Sequence, residues 1–279
     1  MAELRLLAYG KLNLVLRVVG RREDGYHLLR TLMCAVDLAD ELTLSEAEGI
    51  SLSTEGLAVP REGNLALRAA QLLAREAGVN KGVHIRLVKK IPSGAGLGGG
   101  SADAAAVLAG LNRLWRLGLS RRELQGLGLA LGADVPFFLS ESPAWAEGIG
   151  ERLSPARVDL PGAFLVFVPP FDCPTPDVYR LYDELGPPPS RPVRPSGELR
   201  FENDLWPAAL RLRPQLGELW RALAGLGGLG VGLTGSGAGL FVAFPDPEAA
   251  EVAAESLSGE VEGTVFVARP VGRGYKFLG

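Results

Sequence analysis

Ten consecutive residues set the strongest limit on how this chain can fold: Pro92, Ser93, Gly94, Ala95, Gly96, Leu97, Gly98, Gly99, Gly100 and Ser101. Residues 83–91 before them alternate apolar and polar side chains as a strand does. Ala102 opens an Ala- and Leu-rich run that predicts a helix to about residue 115, with Ser101 as its cap. A strand that passes through glycines into a helix leaves unpaired N–H groups and the positive end of the helix dipole at the turn. The segment therefore reads either as a phosphate-binding loop or as a turn kept small for packing. On the first reading Ser101 offers its hydroxyl to a phosphate or to Mg²⁺, and Lys89 or Lys90 balances nucleotide charge at the loop entrance.

Other glycine-loop folds fit less well. Gly94-x-Gly96-x-x-Gly99 has the dinucleotide-binding spacing, but that fold places an acidic residue about 20 positions further on. Here residues 119–122 read Leu-Ser-Arg-Arg, and Ser120 with Glu123 forms a capping box that starts another helix. No Lys lies between Gly94 and Ser101, as a Walker loop requires, and the His-Arg-Asp and Asp-Phe-Gly signatures of protein kinases are missing.

Around the loop the pattern is mixed α and β. Residues 12–19 predict a strand that runs into a polar loop at 20–25, and 42–44 and 50–52 predict two short strands. Residues 64–76 predict a helix ended by Gly78, with Asn64 at its N-cap. A second α/β pattern follows: strands at 164–168, 230–233, 240–244 and 264–267, and helices near 178–185 and 215–226. The change of pattern puts a domain boundary near residues 148–150, giving domains of 1–148 and 149–279. Residues 187–192, Pro-Pro-Pro-Ser-Arg-Pro, read as a stiff surface connection within the second.

Composition narrows the function. With 279 residues, 47% of them hydrophobic, the chain can bury two modest cores, and a net charge of −3 gives no general basic surface for nucleic acid. Two distant cysteines, Cys34 and Cys173, fit a reducing compartment, and with two histidines they are too few for a zinc site of ordinary spacing. Any metal should be a hard ion held by oxygen. The N-terminus lacks a basic region followed by an apolar run, and no apolar stretch reaches the roughly 20 residues of a membrane span. A cytoplasmic protein without membrane or nucleic-acid partners is expected, either monomer or homodimer.

Three segments resemble the GHMP kinases in order and spacing. They are Ala8-Tyr9-Gly10-Lys11-Leu12-Asn13-Leu14, the run Pro92-x-x-x-Gly96-Leu-Gly-Gly-Gly-Ser101-Ala-Asp-Ala-Ala, and Leu233-Thr-Gly-Ser-Gly-Ala-Gly239. The resemblance spans nearly the whole chain; one departure is Ala102, where many relatives carry a second serine. It implies an α+β fold in two domains, the first similar to domain 2 of ribosomal protein S5 and the second ferredoxin-like, with the active site between them. It also implies a kinase that uses ATP with Mg²⁺ to phosphorylate an alcohol, its ATP site running from Pro92 to Ala102 and including Lys89 and Asn64. Four segments narrow the likeness: Lys11-Leu-Asn-Leu, Arg22-x-Asp24-Gly-Tyr26-His27, Leu131-Gly-Ala-Asp134-Val-Pro-Phe137 and Pro174-Thr175-Pro176. They resemble a branch of the family whose alcohol carries a cytidine diphosphate, in isoprenoid precursor synthesis. A kinase for another alcohol, such as mevalonate or homoserine, and a catalytically silent nucleotide-binding protein are the alternatives.

Phosphoryl transfer needs the alcohol held in line with the γ-phosphorus and its proton accepted. Asp134, an acid among apolar neighbours, suits that role, or else caps a turn. Lys11 interrupts an apolar strand and is either an edge lysine or a buried cation needing a counter-charge, which the resemblance assigns to Asp134. Tyr26 and His27 pair an aromatic ring with an imidazole on the polar loop, a combination suited to a pyrimidine base. The resemblance implies that they receive cytosine, with Tyr179 on the opposite ring face, and that Asn13, Asp24 and Thr175 touch the sugar alcohol or diphosphate. Asn64 either contacts adenosine or caps its helix.

Overall fold

The structure, a computed structural model, describes residues 2–58, 63–187, 200–257 and 261–279. Beyond its first residue, Pro187, the expected proline connection lies outside the described residues. Among the described residues no helix is long and apolar enough to cross a membrane.

The first half opens with a long antiparallel hairpin of β1 (Glu3–Arg21) and β2 (His27–Ala47). Both strands far outrun their predicted segments, because the polar residues among them are accommodated: Lys11 and Asn13 are buried, and register shifts at Tyr9/Gly10 and Asn13/Val15 bracket them. Such bulges re-aim side chains out of the regular pleat. β3 (Ile50–Gly56), α1 (Leu65–Glu76) and β4 (Gly82–Lys89) follow, with β3 parallel to β4. Next come α2 (Gly99–Leu114), α3 (Arg121–Leu129), the short α4 (Val135–Phe138), β5 (Ala144–Gly148) and β6 (Arg152–Pro155). Asn64 caps α1 by accepting from the Ala66 N–H, and the Ser120–Glu123 capping box of α3 is complete in both directions.

The second half contains β7 (Ala163–Val168), α5 (Thr175–Leu185), β8 (Glu202–Asn203), α6 (Trp206–Leu212), α7 (Leu216–Ala224), β9 (Gly230–Leu233), β10 (Leu240–Phe244), α8 (Pro247–Leu257), β11 (Thr264–Ala268), β12 (Pro270–Val271) and β13 (Tyr275–Leu278). β7, β9, β10 and β11 form an antiparallel sheet in the order β11-β7-β10-β9. With helices after β7 and β10, this is the β-α-β-β-α-β arrangement of ferredoxin-like domains. The other sheet runs β13-β1-β2-β4-β3, with β12 and β5 also on β2, β6 on β5, and β8 on β1. The expected division at 148/149 does not coincide with a division between sheets, since β6, β8, β12 and β13 all join the first one. Short pairings late in a chain leave little periodic signal.

The helix after the glycine loop starts earlier than expected. Its N-cap is Gly98, in the left-handed region with φ 71° and no side-chain bond, so Ser101 lies inside the first turn and is not the cap. This start leaves the first-turn N–H groups without acceptors inside the helix. Ala102 is fully buried and its N–H bonds to Gly98 O, which removes it from the expected ATP contacts. The buried face of α2 is mostly Ala and Gly; a Cβ on Gly110 would stand 2.4 Å from Leu44 Cδ1, so the helix presses directly on the sheet. A separate core between the two sheets joins Leu12, Leu14 and Leu32 to Phe164, Val166 and Phe241, and includes Ala95 and Leu97 of the loop. Burying a side chain such as Leu97 contributes about 1.5–3 kcal/mol, so the loop is anchored by its apolar members while Gly94 and Gly100 face outward and Gly96 meets backbone.

Candidate active site

The two glycine clusters pack on each other. A Cβ on Gly96 would stand 2.2 Å from the carbonyl oxygen of Thr234, and one on Gly239 2.3 Å from that of Ala95. No side chain could be carried at either position without moving backbone. The Thr234 hydroxyl stitches the contact: it accepts from the Asn13 N–H at 3.1 Å and lies 3.1 Å from Gly96 O, to which it donates. Three segments far apart in sequence thus meet at one point.

Asn13 is the hub of this point. Its Oδ1 accepts from the Lys11 ammonium and from the Gly235 N–H at 2.9 Å, and its Nδ2 donates to Thr31 Oγ1 at 2.8 Å. The side chain expected to touch substrate is therefore buried and committed to internal bonds, and its effect is to aim Lys11. The Lys11 backbone N–H bonds to Leu97 O at 2.9 Å, which ties β1 to the glycine loop. Lys11 Nζ lies 3.7 Å from Asp134 Oδ2, with side-chain exposures of 4% and 37%. Burial lowers the Lys11 pKa, and the charge and hydrogen bonding of Asp134 recover part of the loss. Asp134 stands just before α4 but makes no capping bond, so its carboxylate is open to another partner. Gly98 admits this arrangement, since a Cβ there would meet Phe138 at 2.9 Å and the Lys11 stem at 3.2 Å.

The remaining loop residues divide by exposure. Ser93, Gly94 and Gly100 are exposed, whereas Ile91, Ala95, Leu97 and Gly99 are buried. Lys89 corrects an expectation: it is 4% exposed and bonded to Asp40 and Asp103 beneath the loop, so it cannot reach a nucleotide. Lys90 pairs with Glu41 at the surface. Asn64 caps α1, but its neighbour Leu65 lies beside Gly100, with Cδ1 3.6 Å from where a Cβ would stand, so the start of α1 borders the loop.

At the far end of β1 the expected base-binding residues assemble differently from the prediction. The His27 and Tyr179 rings stack on each other, centroids 4.6 Å apart, and Tyr182 meets His27 edge-on at 5.8 Å. A base held between His27 and Tyr179 would need about twice the usual ring spacing, so these two do not form a sandwich in this arrangement. Tyr26 is 63% exposed, so its ring stands open to solvent. Asp24 bonds Arg22 at 2.7 Å and accepts from the Tyr26 N–H, shaping the turn that presents that ring. His27 Nε2 lies 2.7 Å from Asp183, and with Arg21, Pro176, Tyr179 and Arg180 these residues line an open cavity of about 540 Å³. Thr175 Oγ1 is 2.9 Å from Ser236 Oγ, joining the start of α5 to the second glycine cluster. Burial, then the charge of Asp134, then Tyr182 holds the Tyr179 hydroxyl well above the ordinary tyrosine range. The aromatic end of the site and Asp134 therefore belong to one electrostatic neighbourhood.

Among the described residues no group of three or more His, Cys, Asp or Glu side chains could cage a metal. Mg²⁺ needs none, because its usual partners are one or two protein oxygens and the substrate phosphates. The Ser101 hydroxyl fits: it is half-buried and lies 3.7 Å from where a Cβ of Gly132 would stand, in the same turn as Asp134. Sequence reasoning missed Thr234 as a linker, Asp183 as the partner of His27, and Asp40 and Asp103. Asp103 interrupts an Ala-rich run, the same signal that singled out Lys11, whereas Asp40 stands beside Glu41 and gives no such signal.

A helix start with unpaired N–H groups lies beside a carboxylate and a buried ammonium, and the chain belongs to the GHMP kinase family, small-molecule phosphotransferases. Residues 64–142 match the GHMP kinases N terminal domain and residues 194–262 the GHMP kinases C terminal domain. The chain is 44% identical to a 4-diphosphocytidyl-2-C-methyl-D-erythritol kinase from Syntrophotalea carbinolica, over 95% of this chain and 98% of the relative. A crystal structure of a 4-(cytidine 5'-diphospho)-2C-methyl-D-erythritol kinase superposes with a TM-score of 0.80 at 39% identity, covering 95% of this chain and 99% of the other. A homoserine kinase from Cytophaga hutchinsonii shares the fold, with a TM-score of 0.75 at 18% identity over 100% and 98% of the two chains.

Proposed function

We propose that this kinase transfers the γ-phosphoryl group of ATP to the 2-hydroxyl of 4-diphosphocytidyl-2-C-methyl-D-erythritol, a step of non-mevalonate isoprenoid precursor synthesis. The observation that carries the reading is the Lys11–Asp134 pair beside the helix start, in a chain 44% identical to an enzyme of that name. An enzyme consuming ATP, with two free buried cysteines, fits a cytoplasmic setting.

The phosphates of ATP are received at the exposed backbone of Gly100, where the first-turn N–H groups of α2 lack acceptors inside the helix. The substrate hydroxyl lies against Asp134, which accepts its proton as the new O–P bond forms and the bond to the β-phosphate oxygen breaks, releasing ADP. Lys11 sets a positive charge beside Asp134 and next to the transferring group. Ser101, together with the phosphates, would hold Mg²⁺, which would supply further neutralisation of charge. The cytosine stacks on Tyr26 with His27 at its edge, and the cavity at His27 and Asp183 receives that end of the substrate.

The test is ADP release by the purified protein with Mg-ATP, comparing the cytidyl substrate with mevalonate, homoserine and galactose. Turnover with the cytidyl substrate alone is expected. Turnover only with another alcohol would retain Asp134 and Lys11 but remove the roles given to Tyr26 and His27. No turnover with any would leave a nucleotide-binding protein.

A further inference from the structure

Beneath the glycine loop lies a cluster of charged side chains that the chemistry above does not use. Asp40 on β2, Lys89 at the end of β4 and Asp103 on α2 are 0%, 4% and 3% exposed. The Lys89 ammonium donates to Asp103 Oδ2 at 2.7 Å and also to Asp40 Oδ2. The other oxygen of Asp40 accepts from the backbone N–H groups of Lys90 at 2.6 Å and Ile91 at 2.9 Å. Asp40 thus holds the residues through which the chain enters the loop, and Lys89 carries that hold across to the helix by which the chain leaves it. A Cβ on Gly99 would stand 3.2 Å from Lys89 Nζ, so the ammonium lies against the underside of the loop.

Stability alone is a poor reason for such a cluster. Buried ions lose hydration that their mutual attraction only partly returns, and well-packed apolar residues are often as stable. Asp103 Oδ1 is buried without a partner, a further cost. Burial by itself would lower the pKa of Lys89, but the charges of Asp103 and Asp40 outweigh it and hold the ammonium above the ordinary lysine range. The cation is therefore kept, while burial and the neighbouring Asp40 push the Asp103 carboxyl well above the ordinary carboxylate range; the two bonds of Lys89 join β2, which holds the loop's entry, to the helix at its exit.

We propose that Asp40, Lys89 and Asp103 are positioning residues for nucleotide binding: they fix from below the entry and exit of the loop that receives the phosphates, without touching the nucleotide. This rests on reading the loop as the ATP site.

The experiment compares Lys89→Met, Asp103→Leu and Asp103→Asn by steady-state kinetics in both substrates, calorimetric binding of ADP, and melting temperature. Lys89→Met and Asp103→Leu are expected to raise the ATP KM and the ADP Kd by roughly tenfold or more while the alcohol KM stays within about twofold. Asp103→Asn keeps an oxygen acceptor for Lys89 and should stay within about threefold of wild type in both nucleotide measures. Lower melting temperatures with unchanged KM and Kd would reduce the cluster to a folding element and overturn the proposal, as would equal rises in both KM values. If Lys89→Met does not fold, the two Asp103 variants decide on the same readouts. Failure of the ATP reading would look different, as a wild-type protein with no saturable response to ATP.

Discussion

Lys11 Nζ and Asp134 Oδ2 stand 3.7 Å apart, the ammonium sealed in the protein and the carboxylate 37% exposed. The asymmetry divides the work, since an exposed acid can meet a substrate whereas a buried cation acts on what the acid meets. Asp134→Asn keeps the shape and loses the proton acceptor. Turnover should fall by about 10²–10⁴-fold, with a melting temperature close to wild type. Near-normal turnover would remove Asp134 from the chemistry.

Lys11→Met should separate activity from stability in the opposite direction. The folded protein disfavours the Lys11 ammonium relative to the unfolded chain, through burial that Asp134 only partly offsets. Below the folded pKa this charge destabilises the fold, and the penalty fades as pH rises toward the ordinary lysine value. Lys11→Met is therefore expected to melt at or above the wild-type temperature near neutral pH while losing most of its turnover. In the wild type, kcat/KM should fall on the alkaline side at a pH below 10.5, the ordinary lysine value. A melting temperature well below wild type would show that the ammonium stabilises the site.

The contact between glycine clusters gives a graded test. Gly96→Ala introduces a methyl 2.2 Å from Thr234 O at a backbone φ of 73°, and should destabilise the protein and weaken ATP binding together. Overpacking of this kind costs about 1–3 kcal/mol. Gly100→Ala meets nothing closer than 3.6 Å, so the fold should tolerate it. Because Gly100 faces outward at the helix start, a raised ATP KM with an unchanged melting temperature is expected. An unchanged ATP KM would place the phosphates elsewhere.

His27 and Asp183, 2.7 Å apart, should matter to one substrate only. Asp183→Ala releases the imidazole, and Tyr26→Ala removes the exposed ring. Each is expected to raise the KM for the cytidyl substrate by about tenfold or more, as loss of a base-stacking or base-edge contact does, and to leave the ATP KM unchanged. Equal effects on both substrates would show a structural loop.

Much of this site is visible in the amino-acid order, for identifiable reasons. A lysine in an apolar strand and an aspartate in an apolar turn both break a hydrophobic pattern, and the glycine run announces close backbone approach. Tyr26 and His27 are legible as a pair. Their relation to Tyr179 is not, because a ring-to-ring distance depends on how α5 packs against the β1–β2 turn. Lys89 misled for a similar reason: its neighbour Lys90 points to the surface, and the alternation of a strand does not say which of two adjacent lysines has carboxylates waiting inside. The short strands β8, β12 and β13 are equally silent, since their pairing is decided by partners more than a hundred residues away.

The pairing of β13 with β1 places a late condition on an early segment. Tyr275 and Lys276 sit opposite Ala8 and Leu7, and the Tyr9 N–H bonds to Gly274 O. As the chain emerges from the ribosome, the Arg5–Ala8 part of the strand that carries Lys11 must wait with one edge unpaired until some 270 further residues have been made, a count set by the distance from residue 8 to residue 275. During that interval β1 offers an open edge to any other extended chain. Co-translational folding should therefore leave the start of the strand that carries Lys11 among the last parts to settle, and ribosome-stalled chains ending before residue 270 should bind neither nucleotide nor alcohol.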